Sequence, residues 1–194
     1  MKESYPPWET VYYHFRQMKL NGIWEQILQS LVVSERKRQE KEDIHSLLAI
    51  DNQLVKIVQF TSFETGIDGN KKINGRKRTI LVDTLGLSLA IKVSPDNMPD
   101  NEAGIEALEE LKGAVPRMQK ITADHGYKIT FINYVKEKFG WKVEIEQKPE
   151  SSKGFIPQKN RWQVESSFSW LNFRRRLFKD VEKLTKSSQA TNEF

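Results

Sequence analysis

Short apolar segments and amphipathic segments alternate along the chain from residue 44 onward, and this alternation most constrains the fold. The periodicities predict the order strand, short strand, strand, strand, helix, strand, helix, strand, helix. The predicted strands lie near 47–51, 79–84, 87–94, 119–124 and 141–148, and the predicted helices span 101–112, 130–140 and 161–176. This order is typical of an α/β domain with a mixed sheet flanked by helices.

The first part of the chain has a different pattern. Residues 8–33 have helical periodicity with a break at Asn21-Gly22, and the charged stretch 34–43 indicates a linker or a solvated helix end. We expect these helices to pack against the sheet or project from it, because several large apolar side chains need cover: Trp8, Tyr12, Phe15, Ile23, Trp24 and Ile27. The sequence therefore divides into an N-terminal helical region and linker (1–43), the α/β domain (44–180) and a polar C-terminal tail (181–194).

Composition excludes several classes of protein. The chain has no cysteine, which excludes a disulfide framework and a thiolate zinc site. Its N-terminus has no apolar signal region, and no apolar run reaches membrane length. We therefore expect a cytoplasmic protein without a membrane partner.

The positive charge is concentrated in two places. Residues 151–194 carry nine Lys/Arg and four Asp/Glu, so they account for the whole net charge of +5. A second cluster, in GNKKINGRKRT, contains no acid; its bases are Lys71, Lys72, Arg76, Lys77 and Arg78. Such clusters indicate a polyanionic partner, most simply nucleic acid, or alternatively a solvated basic surface.

Three carboxylates have similar positions relative to these elements. Asp51 and Asp124 each follow an apolar strand, and Glu165 lies at the edge of the apolar stripe of the last helix. A mixed sheet can bring such residues into one pocket. Three nearby carboxylates need cations, and oxygen ligands favour Mg²⁺ or Mn²⁺ over zinc. Two such ions would support cleavage of a phosphodiester.

Each carboxylate also has a structural interpretation. Asp51 with the following Asn would mark a turn after a strand, and Asp124 would cap a turn before a helix. Glu165 would form a surface ion pair with Arg161, four residues earlier. Asp83 also follows an apolar strand, but it leads into a tight turn, and we expect it to lie outside the carboxylate cluster. From the residues alone, a metal-dependent phosphodiester enzyme and these structural roles both stay open.

Several motifs, in order, resemble the DDE transposases of bacterial insertion sequences, in the insertion-sequence-four and -five groups. They cover most of the chain: YPPWETVYYHFRQMKLNGIWEQIL, AIDNQLVK, GRKRTILVDTLGL, ITADHGY and RWQVESSFSWLNFRRRLFKDVE. The resemblance implies a ribonuclease H-like fold, a DDE catalytic domain at 44–180 and DNA transposition by metal-dependent strand cleavage and strand transfer. The implied partner is double-stranded DNA, both transposon ends and target, in the bacterial nucleoid.

Carried over by position, the resemblance makes Asp51, Asp124 and Glu165 the catalytic residues and the ligands of Mg²⁺, with Mn²⁺ as an alternative. Asp51 is the expected bridging ligand. The predicted DNA contacts are Lys71, Lys72, Arg76, Lys77, Arg78, Arg161, Arg174, Arg175 and Arg176.

The sequence departs from the family pattern in places. Arg161 keeps the expected arginine, but Gln158 replaces a tyrosine, Asn172 replaces a lysine, and Ser166 and Ser167 replace a frequent Arg-Thr pair. We expect the three arginines 174–176 to take over the phosphate contact of the lysine.

Family members usually carry a further helical region before YPPWET, so the chain resembles the C-terminal part of a transposase. A homodimer, or a partner chain encoded by an upstream frame, would then complete it. Two alternatives stay open: a decayed or repurposed DNA-binding fragment without activity, and a different ribonuclease H-like nuclease that cuts many sequences.

Overall fold

The order of helices and strands in the computed structural model matches the predicted order. The structure describes residues 5–42, 45–58, 63–67, 69, 72–111, 115–146 and 161–193. The helices are α1 (Trp8–Leu20), α2 (Ile23–Arg38), α3 (Asp100–Glu109), α4 (Ile129–Phe139), α5 (Arg161–Phe173) and α6 (Thr185–Glu193). The strands are β1 (Leu47–Lys56), β2 (Gly66–Ile67), β3 (Asn74–Val82), β4 (Ser88–Pro95), β5 (Lys120–Ala123) and β6 (Lys142–Ile145).

The strands form one mixed sheet. β1 lies at its centre, antiparallel to β3 and parallel to β5, and β6 continues in parallel beyond β5. β4 and the short β2 both pair with β3. The predicted fold class, a ribonuclease H-like mixed sheet flanked by helices, is confirmed. The part of the predicted last strand beyond residue 146 lies outside the described residues.

The alternation of side chains in β1 divides the hydrophobic core between the two faces of the sheet. Leu48 and Ile50 belong to a core that also contains residues of α3 and α4. Ala49 belongs to a second core, with Val164 and Phe168 of α5. The apolar stripe predicted for 161–176 therefore does pack on the sheet, and α5 lies across the second face.

The N-terminal helices are only partly packed. The predicted break is present: Gly22 has a left-handed backbone (φ 65°) between α1 and α2, a conformation that glycine adopts without strain. Trp24 is buried, as expected, but Trp8 and Tyr12 are 72% and 55% exposed and Ile27 is 38% exposed. The expectation of cover is wrong for Trp8 and Tyr12, because α1 buries no residue, and it is also wrong for Ile27 on α2.

The C-terminal segment is more ordered than a polar tail. Residues 185–193 form α6, which contacts α2 and β4. Its buried side chains are small: Ser188, Ala190 and Asn192. Small side chains allow a polar helix to approach the sheet closely, and hydropathy does not reveal this. No helix in the described part of the chain is long and apolar enough to span a membrane.

Candidate active site and nucleic-acid contacts

Asp51 lies within β1, where the parallel pairing with β5 ends. The β1–β5 ladder pairs Ile50 with Ala123, whereas the pairing with β3 continues through Asp51 to Lys56. The expected turn after Asp51 is therefore absent, because β3 extends the strand. Asp51 has the same alternation as Ala49, which places its side chain on the face covered by α5.

Asp124 follows β5 directly and lies one position beyond the Ile50–Ala123 pair, beside Asp51 on the adjacent parallel strand. Its carboxylate accepts a hydrogen bond from the Gly126 amide (2.9 Å), and its carbonyl accepts one from the Tyr127 amide (3.2 Å). Asp124 thus stabilises a turn, as the structural interpretation predicts, through one of its two carboxylate oxygens. The two aspartates line one small recess, together with Glu146 and Val164.

Glu165 lies on α5, next to the Val164 that lines this recess. Its side chain is exposed, and it is not itself part of the recess lining. The position of α5 is fixed by the β3–β4 turn, since the Ser167 hydroxyl donates a hydrogen bond to the Gly86 carbonyl (2.6 Å). Gly86 has a φ of 79°, and a side chain there would press on Gln163 and Ser167.

The carboxylates fit a divalent cation in part. In the ranges that the structure describes, no three His, Asp or Glu side chains are close enough together to hold a metal ion. Asp51 and Asp124 share the recess, however, and their oxygens are ligands that Mg²⁺ and Mn²⁺ prefer. The donor pair fits such an ion, whereas Glu165 is not assembled with it as a third ligand.

Sequence reasoning missed other groups at this site. Tyr127 is buried, and burial raises the pKa of its hydroxyl well above the usual value, with further contributions from Asp51, Asp100 and Asp124. Asp100 is the first residue of α3, where an acid has an ordinary role at the helix N-terminus. Glu146 follows β6, as Asp124 follows β5, and this repeated position is the signal that would have identified it.

Two arginines of the basic cluster are internal, which corrects their assignment to DNA. Arg76 is fully buried, and its guanidinium donates to Asp180 (3.0 Å) and to backbone carbonyls. Arg78 is 3% exposed and donates to Gln53 and to the Leu177 carbonyl; burial lowers its pKa to about 10. Neither guanidinium can reach a phosphate, because both are enclosed by protein.

The other predicted DNA contacts have different surroundings. Lys77 is mostly buried and pairs with Asp100 (2.5 Å), whereas Lys72 is exposed. Lys71 and the side chain of Arg161 lie outside the described residues. Arg174, Arg175 and Arg176 are exposed just beyond α5, and Arg176 pairs with Glu182 (2.6 Å).

Asp83 has the hairpin role that was predicted. Its carboxylate accepts hydrogen bonds from the Leu85 and Leu87 amides in the β3–β4 turn (2.8 and 2.9 Å). It also pairs with Arg36 of α2 (2.5 Å) and faces His45 (3.4 Å). Asp83 is absent from the lining of the Asp51–Asp124 recess.

Comparison with known proteins identifies the family. The family model of the transposase DDE domain matches residues 42–189, a range that contains Asp51, Asp124 and Glu165. The chain belongs to this family. The match confirms the resemblance for DDE transposases as a whole and does not distinguish the insertion-sequence groups.

Solved structures similar to this transposase DDE domain include complexes of Mos1 transposase. One is the Mos1 paired-end complex with the left transposon end, with 13% identity and a TM-score of 0.36 over 90% of this chain and 58% of that one. Others are the Mos1 strand transfer complex (13%, 0.36, 92% and 58%) and a Mos1 mariner paired-end complex with Mn (13%, 0.32, 92% and 58%). The chain thus spans 58% of the length of Mos1 transposase. No curated protein matched.

Proposed function

We propose that this chain is the catalytic part of an insertion-sequence transposase of the insertion-sequence-four or -five type. In this proposal it cleaves DNA at transposon ends and transfers the cut strand to target DNA. The observation that carries the proposal is the pair of aspartates on adjacent parallel strands, Asp51 and Asp124, which line one recess beneath the helix that bears Glu165. Membership of the DDE family supports this interpretation.

Asp51 and Asp124 would hold the divalent cation, because both offer carboxylate oxygens to the same recess. Glu165 would join them as the third ligand when substrate is bound, from its position one residue beyond Val164 on α5. A pair of bound divalent cations would activate the attacking oxygen and stabilise the leaving oxygen of a phosphodiester.

The exposed bases would hold the DNA backbone. Lys72, Arg174 and Arg175 are exposed, and each cation that contacts a phosphate releases counterions and strengthens binding at low salt. Arg76 and Arg78 have no place in this surface. Arg176 would first have to leave Glu182, since the two side chains are paired.

The proposal is tested by Mg²⁺-dependent nicking of duplex DNA and by Mn²⁺ binding, measured in parallel on the same variants. Asp51→Asn and Asp124→Asn should abolish both nicking and Mn²⁺ binding. Glu165→Gln should abolish nicking but weaken Mn²⁺ binding less than the two aspartate substitutions do. Glu137→Gln, at an exposed acid on α4, is the matched control and should change neither. Nicking that survives all three site substitutions would contradict the proposal.

The second candidate is a DNA-binding fragment without catalytic activity. One observation favours it: in the described part of the chain, Asp51, Asp124 and Glu165 are not assembled as a three-carboxylate group. This candidate predicts salt-sensitive DNA binding without nicking at any Mg²⁺ concentration, and DNA binding that the Asp51→Asn substitution does not weaken.

A further inference from the structure

A lysine and an aspartate next to the candidate metal site form an ion pair that the proposed catalytic set does not include. The Lys77 ammonium donates to an Asp100 carboxylate oxygen (2.5 Å) and to the Met98 carbonyl (2.6 Å). The Lys77 side chain is only 12% exposed and that of Asp100 is 39% exposed. The pair therefore links β3 to the first turn of α3 in a partly desolvated position, where charges interact more strongly than on the surface.

The second carboxylate oxygen of Asp100, which is not the one bonded to Lys77, approaches Asp124. One oxygen of Asp100 and one of Asp124 each lie 3.0 Å from the position that a Cβ of Gly126 would occupy. The two oxygens are consequently at most about 6 Å apart, a range in which neighbouring charges affect each other strongly. The absence of a side chain at Gly126 leaves the space between them open.

Tyr127 connects α3 to the turn that bears Asp124. It is buried, and its backbone amide donates a hydrogen bond to the Asp124 carbonyl (3.2 Å). The aromatic ring lies against α3, where Gly104 leaves room for it: a Cβ at Gly104 would be 2.6 Å from the ring. Asp100 is thus held close to Asp124 by the packing of α3.

We propose that Asp100 and Lys77 are positioning residues of the metal site, with Asp100 adding negative charge beside Asp124 and Lys77 holding and balancing that charge. This inference rests on the proposed metal-dependent function. The negative charge of Asp100 favours the binding of a divalent cation near Asp124. The Lys77 ammonium opposes this binding, because it and the metal cation compete for the same carboxylates. Lys77 would then act at the catalytic site and would not be a DNA contact.

The two residues should therefore affect metal affinity in opposite directions. Asp100→Asn should weaken Mn²⁺ binding by about tenfold, because a unit charge and a divalent ion at a separation of about 6 Å interact by about that much even at the dielectric constant of water. Lys77→Met should strengthen Mn²⁺ binding. Lys77→Arg keeps the positive charge and should therefore have the wild-type Mn²⁺ affinity. A purely structural role would make both neutral variants bind more weakly.

The chain offers a matched control. Lys92 of β4 pairs with Glu110 (3.0 Å), just beyond the end of α3, and so also links the hairpin to the α3 region. Neither residue lines the Asp51–Asp124 recess. Lys92→Met and Glu110→Gln should leave Mn²⁺ affinity unchanged.

The experiment is a titration of the purified chain with Mn²⁺, followed by the electron paramagnetic resonance signal of free Mn²⁺, with thermal unfolding of every variant. Opposite shifts for Asp100→Asn and Lys77→Met support the inference. Equal affinity for Asp100→Asn and wild type, or weaker binding by a folded Lys77→Met, overturns it. If Lys77→Met does not fold, the comparison of Asp100→Asn with Lys77→Arg decides, because only Asp100→Asn should bind Mn²⁺ more weakly than the wild-type chain.

Failure of the inference and failure of the proposed function are distinguishable. If Asp51→Asn and Asp124→Asn abolish Mn²⁺ binding while Asp100→Asn does not weaken it, the metal site stands and the positioning role falls. If the wild-type chain binds no Mn²⁺, both fall.

Discussion

Replacing Arg76 by methionine should destabilise the fold strongly, although the sequence places this residue in a basic, hydrophilic cluster. The guanidinium is fully buried and joins β3 to two other segments of the chain. It donates to the Asp180 carboxylate (3.0 Å) and to four carbonyls, those of Phe63 (2.7 Å), Glu64 (3.3 Å), Glu182 (2.8 Å) and Lys183 (2.8 Å). The substitution leaves Asp180 as a buried charge without its counterion.

Breaking a buried ion pair by removing one partner costs about 3–5 kcal/mol. This is a large share of the roughly 5–15 kcal/mol by which a domain is stable. With a urea m-value of about 2 kcal/mol/M, the midpoint should fall by about 2 M. The measurement is urea unfolding followed by far-UV circular dichroism, with Arg175→Met, at an exposed arginine, as the control that should not shift the midpoint.

A double-mutant cycle tests the stated cause. Asp180 also accepts hydrogen bonds from the Ser188 hydroxyl (2.6 Å) and the Glu182 amide (2.9 Å), and an asparagine can keep part of these. Arg76→Met combined with Asp180→Asn should therefore cost about 2 kcal/mol less than the sum of the single substitutions. A loss below about 1 kcal/mol for Arg76→Met, typical of a surface substitution, would refute the reasoning.

Three further predictions concern the turn, the DNA surface and α5. Burial would raise the pKa of Asp83, but contacts with His45, the turn amides and Arg36 outweigh it and lower that pKa. The destabilisation by Asp83→Asn in urea unfolding should therefore be largest near pH 7. It should shrink as the pH falls below about 4, where the unfolded carboxyl is protonated, and vanish once the folded carboxyl is protonated as well. Replacing Arg174 and Arg175 by alanine should reduce the salt slope of DNA binding, measured by fluorescence anisotropy, by about 1 for each lost phosphate contact, and an unchanged slope would reassign them to a solvated surface. Ser167→Ala should lower the free energy of unfolding by about 1 kcal/mol, measured in urea, because the Gly86 carbonyl loses its donor.

The helices and most strands were predictable because their signals are local. The break at Asn21-Gly22 and the stripe of Val164 and Phe168 follow from residue spacing alone, and the structure confirms both. The extent of β1 was not predictable in this way. It continues past Asp51 because β3 pairs with it as far as Lys56, and this pairing depends on residues 19 to 29 positions away in the sequence.

The burial of Arg76 and Arg78 shows where the charge argument failed. Both residues share the alternation of Ile80 and Val82, which belong to the core beneath α5. In a strand with period two, these four side chains lie on one face. This alternation is present in the sequence from residue 76 onward. The prediction missed it because the run of bases indicated a polar segment, and the strand was placed at residue 79, whereas β3 begins at Asn74.

Part of the candidate site was predictable for a similar reason. Asp124 directly follows its strand, and parallel pairing of β1 and β5 brings it beside Asp51, as a mixed sheet predicts. Asp100 was not predictable, since its approach to Asp124 depends on the packing of α3 on Tyr127 and on the open space at Gly126. A distance of this kind arises from tertiary packing and has no periodic signal.

The structure determines which acid can serve as a control for the catalytic residues. Asp83 was expected to lie outside the carboxylate cluster, which would make it a natural control. It does lie outside, but its pairs with Arg36 and the turn amides make it part of the framework, so a substitution there would lower activity by unfolding the chain. An exposed acid such as Glu137 separates the two effects, since its loss removes a charge without removing a buried partner.

Successive side chains of β3 lie on opposite faces of the sheet, so the bases of this one cluster have different roles. Arg76 and Arg78 face the α5 side and hold the C-terminal segment, through Asp180 and Leu177. Lys77, between them, faces the opposite side and reaches Asp100 beside the candidate metal site. Net charge is therefore a poor measure of the DNA-binding surface of this chain. The salt slope should depend on the exposed arginines that follow α5, whereas a change at Lys77 should act on metal affinity and leave that slope unchanged.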